Sequence, residues 1–266
     1  MALLNEKFEN TTTVIGVNNG TENKWIGTGF FVSFKNKVGN GSYIYLVTNR
    51  HVINNYSSIV IRTHLKNGNI VPLSVNLYEN GEKLFLCHGN NNIDIAVIQL
   101  NGKYVDDVLD KINTFDIEKN TFMANEYLYN GGFEGSPVLM LGFPMGIIDN
   151  YSTTPICRRG CIARFKLDEI KNNYSFLLDL QNYPGNSGSP IISCPEIIGV
   201  EGTKILSEAR LIGIVYGYLP YRESLVNTQT NEVVEIKTEN SGIAVAHPTD
   251  YIRELIEMDL KNKKMI

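Results

Sequence analysis

The feature that most constrains this chain is a long succession of short apolar, β-branched runs separated by Asn and Gly. Such runs are typical of β-strands, and Asn and Gly accept the positive φ angles of tight turns. A first series lies at 12–17, 29–34, 43–48, 58–63, 70–77, 83–87 and 93–100, and a second at 137–141, 154–165, 175–180, 190–193, 210–218, 232–238 and 242–246. The pattern predicts an all-β protein.

A polar, Asn-rich segment at 101–136 separates the two series, and we interpret it as an interdomain linker. Two strand-rich halves suggest two β-barrels. We place the boundary so that an N-terminal unit covers 1–115 and a C-terminal unit covers 116–266.

Helical spacing replaces the strand pattern after Pro248. Thr249 is a residue type that favours the N-cap position, and an apolar stripe follows it. The stripe consists of Ile252, Leu255, Ile256 and Leu260. We therefore predict a terminal helix at 249–262 that packs on the second β-unit.

The charge balance disfavours two functional classes. With 24 basic and 28 acidic residues the net charge is −4, whereas nucleic-acid binders and polybasic membrane-surface proteins carry excess positive charge. The start of the chain lacks the pattern of a secretory signal, no apolar run reaches the ~18 residues of a membrane span, and four cysteines do not suggest a disulfide framework. We expect a cytoplasmic protein with reduced thiols that binds neither nucleic acid nor membrane.

The strongest local signal is the sequence Pro-Gly-Asn-Ser-Gly-Ser-Pro at 184–190. A serine hydroxyl is a weak nucleophile, and it needs a nearby base and backbone N–H groups that face the developing oxyanion. Gly185 permits a turn in which its N–H and that of Ser187 converge on one point. The same residue types also make ordinary turns between strands, so the motif alone leaves both interpretations open.

Two further residues could complete a catalytic set. His51 follows the apolar run at 43–48, where a rigid element can present an imidazole to a cleft. Asp94 lies within the apolar run at 93–100, and a carboxylate there is costly to bury unless a partner satisfies it. The partner could be His51, whose tautomer the carboxylate would fix. The alternative is a half-exposed position at the start of the strand.

Together these residues resemble the trypsin-like (chymotrypsin-fold) serine peptidase superfamily, and its bacterial-type branch more than the digestive trypsins. The chain order of His51, Asp94 and Ser187 is that of the family's triad. The matching segments are Gly-Thr-Gly-Phe-Phe at 27–31, Thr-Asn-Arg-His-Val at 48–52, Asp-Ile-Ala-Val at 94–97 and Gly-Asn-Ser-Gly-Ser-Pro at 185–190. The resemblance implies two six-stranded antiparallel β-barrels of the chymotrypsin type, a C-terminal helix and an active cleft between the barrels.

The resemblance also implies a site and an activity. Ser187 is expected to be the nucleophile, His51 the general base and Asp94 the residue that orients His51. The backbone N–H groups of Gly185 and Ser187 are expected to form the oxyanion hole. The implied activity is that of a serine endopeptidase that cleaves a protein or peptide substrate through an acyl-enzyme, with no metal and no other cofactor.

One departure from the family concerns activation. Digestive trypsins have an aspartate directly before the serine, which pairs with a new N-terminus after zymogen cleavage. This chain has Asn186 at that position, and a neutral amide cannot form the ion pair. We therefore do not expect activation by cleavage.

Substrate choice is less sharply implied. The expected substrate-binding residues are Gln181, Tyr183, Tyr216, Tyr218 and Ile243. Gln181 stands at the base of the expected pocket and offers no counter-charge for lysine or arginine, so we expect a small or medium apolar side chain at the cleavage site. An alternative is that His247 recognises an acidic side chain.

Two other functions are consistent with these residues. One is a catalytically latent or inactive binding module with the peptidase fold, and the other is an esterase-like or self-cleaving chain. A zinc site at Cys157 and Cys161 is not favoured, because their spacing is not that of a common structural site.

Overall fold

The N-terminal half of the chain forms one large sheet. The computed structural model describes residues 6–36, 41–100, 108–148, 153–196 and 204–266. The strands of this half are β1 (Thr12–Asn18), β2 (Asn23–Lys35), β3 (Ser42–Thr48), β4 (Ser58–His64), β5 (Ile70–Asn76), β6 (Tyr78–Glu79), β7 (Glu82–Lys83), β8 (Leu86–Cys87), β9 (Ala96–Leu100) and β10 (Phe115–Asp116). The sheet order is β5-β4-β1-β2-β3-β9-β8, with β10 parallel to β2, while β6 pairs with β7. Helices α1 (Glu6–Thr11) and α2 (Arg50–Ile53) also belong to this half.

The C-terminal half forms a closed barrel. Its strands are β11 (Pro137–Gly142), β12 (Ile156–Arg164), β13 (Phe176–Asp179), β14 (Pro190–Ser193), β15 (Leu211–Val226) and β16 (Val233–Pro248). They close in the order β11-β12-β13-β16-β15-β14, because β11 pairs with both β12 and β14. The helices are α3 (Ala124–Tyr129), α4 (Leu167–Asn173) and α5 (Thr249–Asn262), and 3₁₀ turns lie at Leu109–Lys111 and Pro144–Gly146.

The predicted all-β class with a C-terminal helix is confirmed. The C-terminal barrel has the six antiparallel strands that the resemblance implies. In the described ranges, the N-terminal half has a sheet of eight strands where a six-stranded antiparallel barrel was expected, and its strand β10 runs parallel to β2. None of the described helices combines the length and the apolar stretch needed to cross a lipid bilayer.

The expected N-cap at Thr249 is wrong, because Pro248 holds that position in an extended conformation. The hydroxyl of Thr249 donates to the carbonyl of Phe122 instead. The first residue of the helix is therefore held by a hydrogen bond to the segment just before α3, and the sequence of the helix does not indicate this partner.

The polar composition of 101–136 suggests a linker, but much of this segment is packed into the protein. Residues 101–107 lie outside the described part of the chain. Phe115 and Ile117 are buried in the core shared with the N-terminal sheet, and Phe122 and Tyr127 are buried in the barrel core. A few well-spaced aromatic and aliphatic residues are sufficient to anchor a segment that is polar on average.

Strands β15 and β16 extend beyond the barrel as a two-stranded arm. Their pairing continues from Pro220 opposite Asn240 to Val226 opposite Val233. The polar residues at 239–241 suggest a break between two strands, but both faces of the arm meet solvent, so polar residues do not end the strand. Apolar side chains on the arm, such as Val234 and Ile236, are exposed.

One hydrophobic cluster spans both halves and the terminal helix. Phe30 and Phe115 meet edge to face, with 5.8 Å between ring centroids. The same cluster contains Ile214 of the barrel and Leu255 of α5. The helix therefore packs on a core to which both β-units contribute, and not on the second unit alone as expected.

A buried hydrogen bond ties α5 to the N-terminal sheet. The hydroxyl of Tyr45, which is fully buried on β3, donates to Asp259 at 2.8 Å. Lys263 donates both to Asp259, at 2.6 Å, and to Gln99 of β9, at 2.8 Å. Burial and the Asp259 carboxylate raise the pKa of Tyr45, so its hydroxyl stays a donor throughout the working range of pH.

We expect Tyr45→Phe to lower the free energy of unfolding by about 1.5 kcal/mol, because a hydrogen bond to a charged acceptor is lost while ring packing is kept. Urea unfolding measures the change. Tyr43→Phe is the matched control, since the Tyr43 hydroxyl forms no hydrogen bond with any described residue. Equal effects of the two variants would contradict the assignment.

Candidate active site

Strand pairing brings His51 and Asp94 together. The register of β3 and β9 places Thr48 opposite Ala96, so the residues after β3 face those before β9. Nδ1 of His51 makes a short contact with Oδ2 of Asp94, and the backbone N–H of His51 donates to Oδ1 at 3.0 Å. Nδ2 of Asn49 donates to the Asp94 carbonyl at 2.7 Å. The aspartate is thus held through both its side chain and its backbone.

The Asp94 carboxyl is stabilised in its charged form. Burial raises the pKa of this group, but the hydrogen bonds and charge of His51, with a smaller contribution from Arg50, outweigh burial and hold the pKa below its ordinary value. A carboxylate at Nδ1 favours the tautomer with the proton on that nitrogen. Nε2 of His51 is then free to accept a proton, as a general base requires.

Ser187 lies in the turn between β13 and β14, and this turn docks onto β2. The backbone N–H of Thr28 donates to the Ser187 carbonyl at 2.9 Å. A Cβ on Gly27 would lie 2.6 Å from Val52, the neighbour of His51, and 3.4 Å from the Ser187 carbonyl. Gly27 therefore marks the point where the histidine segment and the serine turn meet.

His51 and Asp94 are hydrogen-bonded to each other, but Ser187 is not hydrogen-bonded to this pair. Within the described part of the chain, no hydrogen bond links the Ser187 hydroxyl to His51. The serine is half-buried and the histidine is exposed. The structure thus pairs two of the three predicted residues directly, and the turn of the third approaches Gly27, which also contacts the neighbour of His51.

The backbone around Gly185 is held by two bonds that the sequence did not predict. The Pro184 carbonyl accepts the N–H of Met145 at 2.5 Å, and the Gly185 carbonyl accepts the hydroxyl of Thr28 at 2.7 Å. Because the peptide is trans, its N–H points opposite to its carbonyl. The N–H groups of Gly185 and Ser187 have no acceptor among the described residues. The serine turn therefore contains two unpaired donors, the N–H of Gly185 and that of the serine itself.

Met145 supplies its N–H from an unusual conformation. Its φ of 57° lies in the left-handed region, which costs a residue with a side chain roughly 1–2 kcal/mol. The neighbouring Gly146, at φ 66°, completes the turn and packs against Trp25. Thr28 lies in one of the segments that carry the resemblance, but no sequence signal marks Met145.

The five predicted substrate-binding residues are not gathered in one pocket. Tyr216 and Tyr218 line a cavity of about 600 Å³ together with Tyr174. The other three lie elsewhere: Arg158 stacks over the ring of Tyr183 at 4.9 Å, Gln181 is exposed beside Gly242, and Ile243 is half-buried in β16 opposite Asp179.

Asn182, which the sequence analysis did not identify, is hydrogen-bonded to both β15 and β16. Its side chain is buried, and its Nδ2 donates to the Gly217 carbonyl of β15 at 2.9 Å. Its own carbonyl accepts a short hydrogen bond from Asn240 of β16. The segment that precedes the serine is thereby tied to both strands of the arm.

His247 and Asn186 are both fully buried. The alternative in which His247 recognises an acidic side chain of the substrate is therefore wrong, because its ring has no access to solvent. The amide of Asn186 lies beside Ser189 and Gly142 and has no hydrogen-bond partner among the described residues. Its neutral side chain carries no charge into this buried position.

No group of three or more His, Cys, Asp or Glu residues in the described ranges is arranged to hold a metal ion. All four cysteines are free, namely Cys87, Cys157, Cys161 and Cys194.

The chain is similar to a known protein family and to solved structures. The profile of a family described as the trypsin-like peptidase domain matches residues 27–200. The crystal structure of Deg5 aligns with a TM-score of 0.50 and 16% identity, over 94% of this chain and 88% of that one. The apo MamO protease domain from Magnetospirillum magneticum aligns with a TM-score of 0.45 and 12% identity, over 93% of this chain and 96% of that one. No curated protein matches the chain.

We expect Gly185→Ala to destabilise the protein more than Gly20→Ala does. Both glycines have nearly the same positive φ, 96° and 94°, so both variants carry similar backbone strain. A Cβ at 185 would lie 2.3 Å from the Phe143 carbonyl, whereas nothing lies within 4 Å of one at 20. The overlap should add about 2 kcal/mol to the loss of unfolding free energy.

Chemical denaturation of both variants measures this difference. Equal losses for the two substitutions would show that the turn around Gly185 tolerates a side chain and that the close approach is not a constraint.

Proposed function

Because the chain belongs to the trypsin-like peptidase domain family, we propose that it is a serine endopeptidase that hydrolyses protein or peptide substrates through an acyl-enzyme. In this proposal Ser187 is the nucleophile, His51 is the general base and then acid, and Asp94 orients His51. The observation that carries the proposal is the charged Asp94 bonded to Nδ1 of His51, next to a serine turn with two unpaired N–H donors.

The proposed reaction uses three side chains and two backbone N–H groups of this chain, together with one water molecule. The Ser187 hydroxyl attacks the substrate carbonyl as Nε2 of His51 takes its proton, and Asp94 stabilises the imidazolium that forms. The carbonyl oxygen becomes an oxyanion that accepts hydrogen bonds from Gly185 and Ser187. Collapse breaks the peptide bond, and His51 returns the proton to the leaving amine. A water molecule then attacks the ester carbonyl while His51 takes its proton. The bond to the Ser187 oxygen breaks, that oxygen receives the proton from His51, and the carboxylic acid leaves.

Much of the expected rate enhancement comes from the two backbone donors. A single oxyanion-hole donor supplies roughly 3–4 kcal/mol of transition-state stabilisation when it is positioned in advance. The Met145 N–H supports this positioning, because it holds the Pro184 carbonyl on the side opposite to the hole. Thr28 supports it from the other side through the Gly185 carbonyl.

A latent or inactive binding module with the peptidase fold is the alternative. It is favoured by the missing hydrogen bond between Ser187 and His51 in the described part of the chain. We prefer the enzyme because such bonds are often long before substrate binds, and because the turn keeps both N–H donors unpaired. The cytoplasmic location expected from the sequence stays a prediction.

We expect a fluorophosphonate probe to label Ser187 covalently. His51→Ala should slow labelling at least ~10³-fold and Ser187→Ala should abolish it, since base and nucleophile act as one unit. Ser189→Ala is the matched control in the same turn and should be labelled like the wild type. Peptide mass spectrometry locates the label.

The same variants distinguish the enzyme from the alternatives. An unlabelled but folded wild-type protein would favour the binding module. Labelling that persists in His51→Ala would remove His51 from the mechanism, and fragments of the chain itself that vanish in Ser187→Ala would indicate self-cleavage.

We further propose that Asn182 limits the side chain accepted at the cleavage site. The resemblance assigns the pocket to the space between the segment before the serine and the strands at 213–217 and 242–245. Asn182 crosses from that segment to Gly217 and is itself buried. A side chain that bridges the two walls leaves room only for a small residue.

Asn182→Ala should therefore raise kcat/KM for substrates with leucine or phenylalanine, relative to alanine, at least tenfold. A peptide series that varies only this residue measures the ratio. Asn173→Ala is the matched control, because Asn173 lines the 600 Å³ cavity beside Tyr216 instead. If Asn173→Ala changes the ratio and Asn182→Ala does not, that cavity holds the side chain and the proposal is wrong.

A further inference from the structure

His247 is a buried histidine of β16 that the proposed mechanism does not use. Its Nε2 accepts the backbone N–H of Asp94 at 3.0 Å, and its Nδ1 lies 2.6 Å from the Tyr174 carbonyl. A backbone N–H can only donate and a carbonyl can only accept. The ring is therefore neutral, with its proton on Nδ1 and the lone pair of Nε2 accepting the Asp94 N–H.

The surroundings of the ring favour this neutral form. Tyr216 of β15 stacks on it at 4.1 Å with an interplanar angle of 10°, and Tyr251 of α5 meets it edge to face at 6.3 Å. The charged or titratable groups that face it are Asp94 and His88. Burial lowers the pKa of His247 to about 4, although the Tyr174 carbonyl and Asp94 act in the opposite direction.

We propose that His247 is a positioning residue that fixes Asp94 from the C-terminal barrel. This inference rests on the proposed function and deepens it, because it names what aligns the histidine–aspartate pair. Asp94 is held by Asn49 at its carbonyl and by His51 at its carboxylate, both within the N-terminal unit. Its N–H is held by His247, which belongs to the unit that carries Ser187.

This arrangement gives the Asp94 backbone one anchor on each side of the cleft. The barrel that carries the nucleophile thereby also sets the position of the residue that orients the base. A displaced Asp94 would leave His51 less well aligned with Ser187, and a misplacement of about 1 Å can cost roughly a hundredfold in rate. The ring does not reach substrate, so substrate binding should change little.

Two substitutions remove the acceptor and one retains it. His247→Phe keeps a flat ring against Tyr216, and His247→Met fills the space with a flexible chain. His247→Gln keeps a neutral amide that can accept from Asp94 and donate to Tyr174. We expect kcat to fall about 10- to 100-fold in the first two with KM within about twofold, and to recover in the glutamine variant. If one acceptor-free variant fails to fold, the other carries the same expectation.

A second measurement does not depend on activity. A proton shared between an imidazole and a carboxylate gives a strongly deshielded NMR resonance, which its loss in His51→Ala assigns. We expect this resonance in the wild type and in His247→Gln, and its loss through exchange broadening in His247→Phe and His247→Met. A resonance that is unchanged in the acceptor-free variants, or an unchanged kcat, would overturn the role of His247.

The pH dependence of the free energy of unfolding tests whether His247 is neutral in the folded protein. A histidine that is neutral when folded and titrates at its ordinary value when unfolded makes the unfolded chain bind more protons, so stability falls as pH decreases from about 6.5 towards 4. His247→Gln should remove this part of the slope, and an identical slope in both proteins would contradict a neutral acceptor. If the wild type neither cleaves peptides nor reacts with the probe, the proposed function fails, while the resonance and the slope still decide the role of His247.

Discussion

The docking of the serine turn onto strand β2 is the interaction on which the site depends. Thr28 makes both contacts, since its N–H binds the Ser187 carbonyl and its hydroxyl binds the Gly185 carbonyl. A Cβ on Gly188 would lie only 1.9 Å from the Thr28 carbonyl, so this approach requires a glycine. A turn of the second unit thus packs directly on a strand of the first, and these contacts fix the serine turn against β2.

The sequence predicted the parts of the site that depend on local chemistry. Glycines at 185 and 188 marked a turn that needs positive φ, and both adopt it, at 96° and 89°. An aspartate in an apolar run indicated a partner, and the structure provides His51. The strand series predicted the fold class because short apolar, β-branched runs bounded by turn residues are a local signal of strands.

The sequence could not predict contacts made across the fold. Asn182, Met145 and His247 have partners 35, 39 and 153 positions away, and no pattern around them indicates this. The burial of Phe115 within a polar segment also depends on tertiary packing, and the length of the β15–β16 arm depends on strand pairing that the polar residues at 239–241 do not interrupt. The sequence also could not predict the charge states of two hydrogen-bonded neighbours. Asp94 stays ionised because its carboxylate is hydrogen-bonded to His51. His247 stays neutral because it is buried against Tyr216 and Tyr251.

The attachment of α5 to the N-terminal sheet has a consequence for how the protein matures. Tyr45 and Phe30 lie in the first part of the chain to leave the ribosome, but the helix that covers them is translated more than 200 residues later. Until then the residues that α5 covers lack this part of their packing, whereas a second core of the N-terminal half consists only of residues before position 113. Apolar surface that is exposed in this interval is prone to aggregation until the C-terminal part of the shared core has been made.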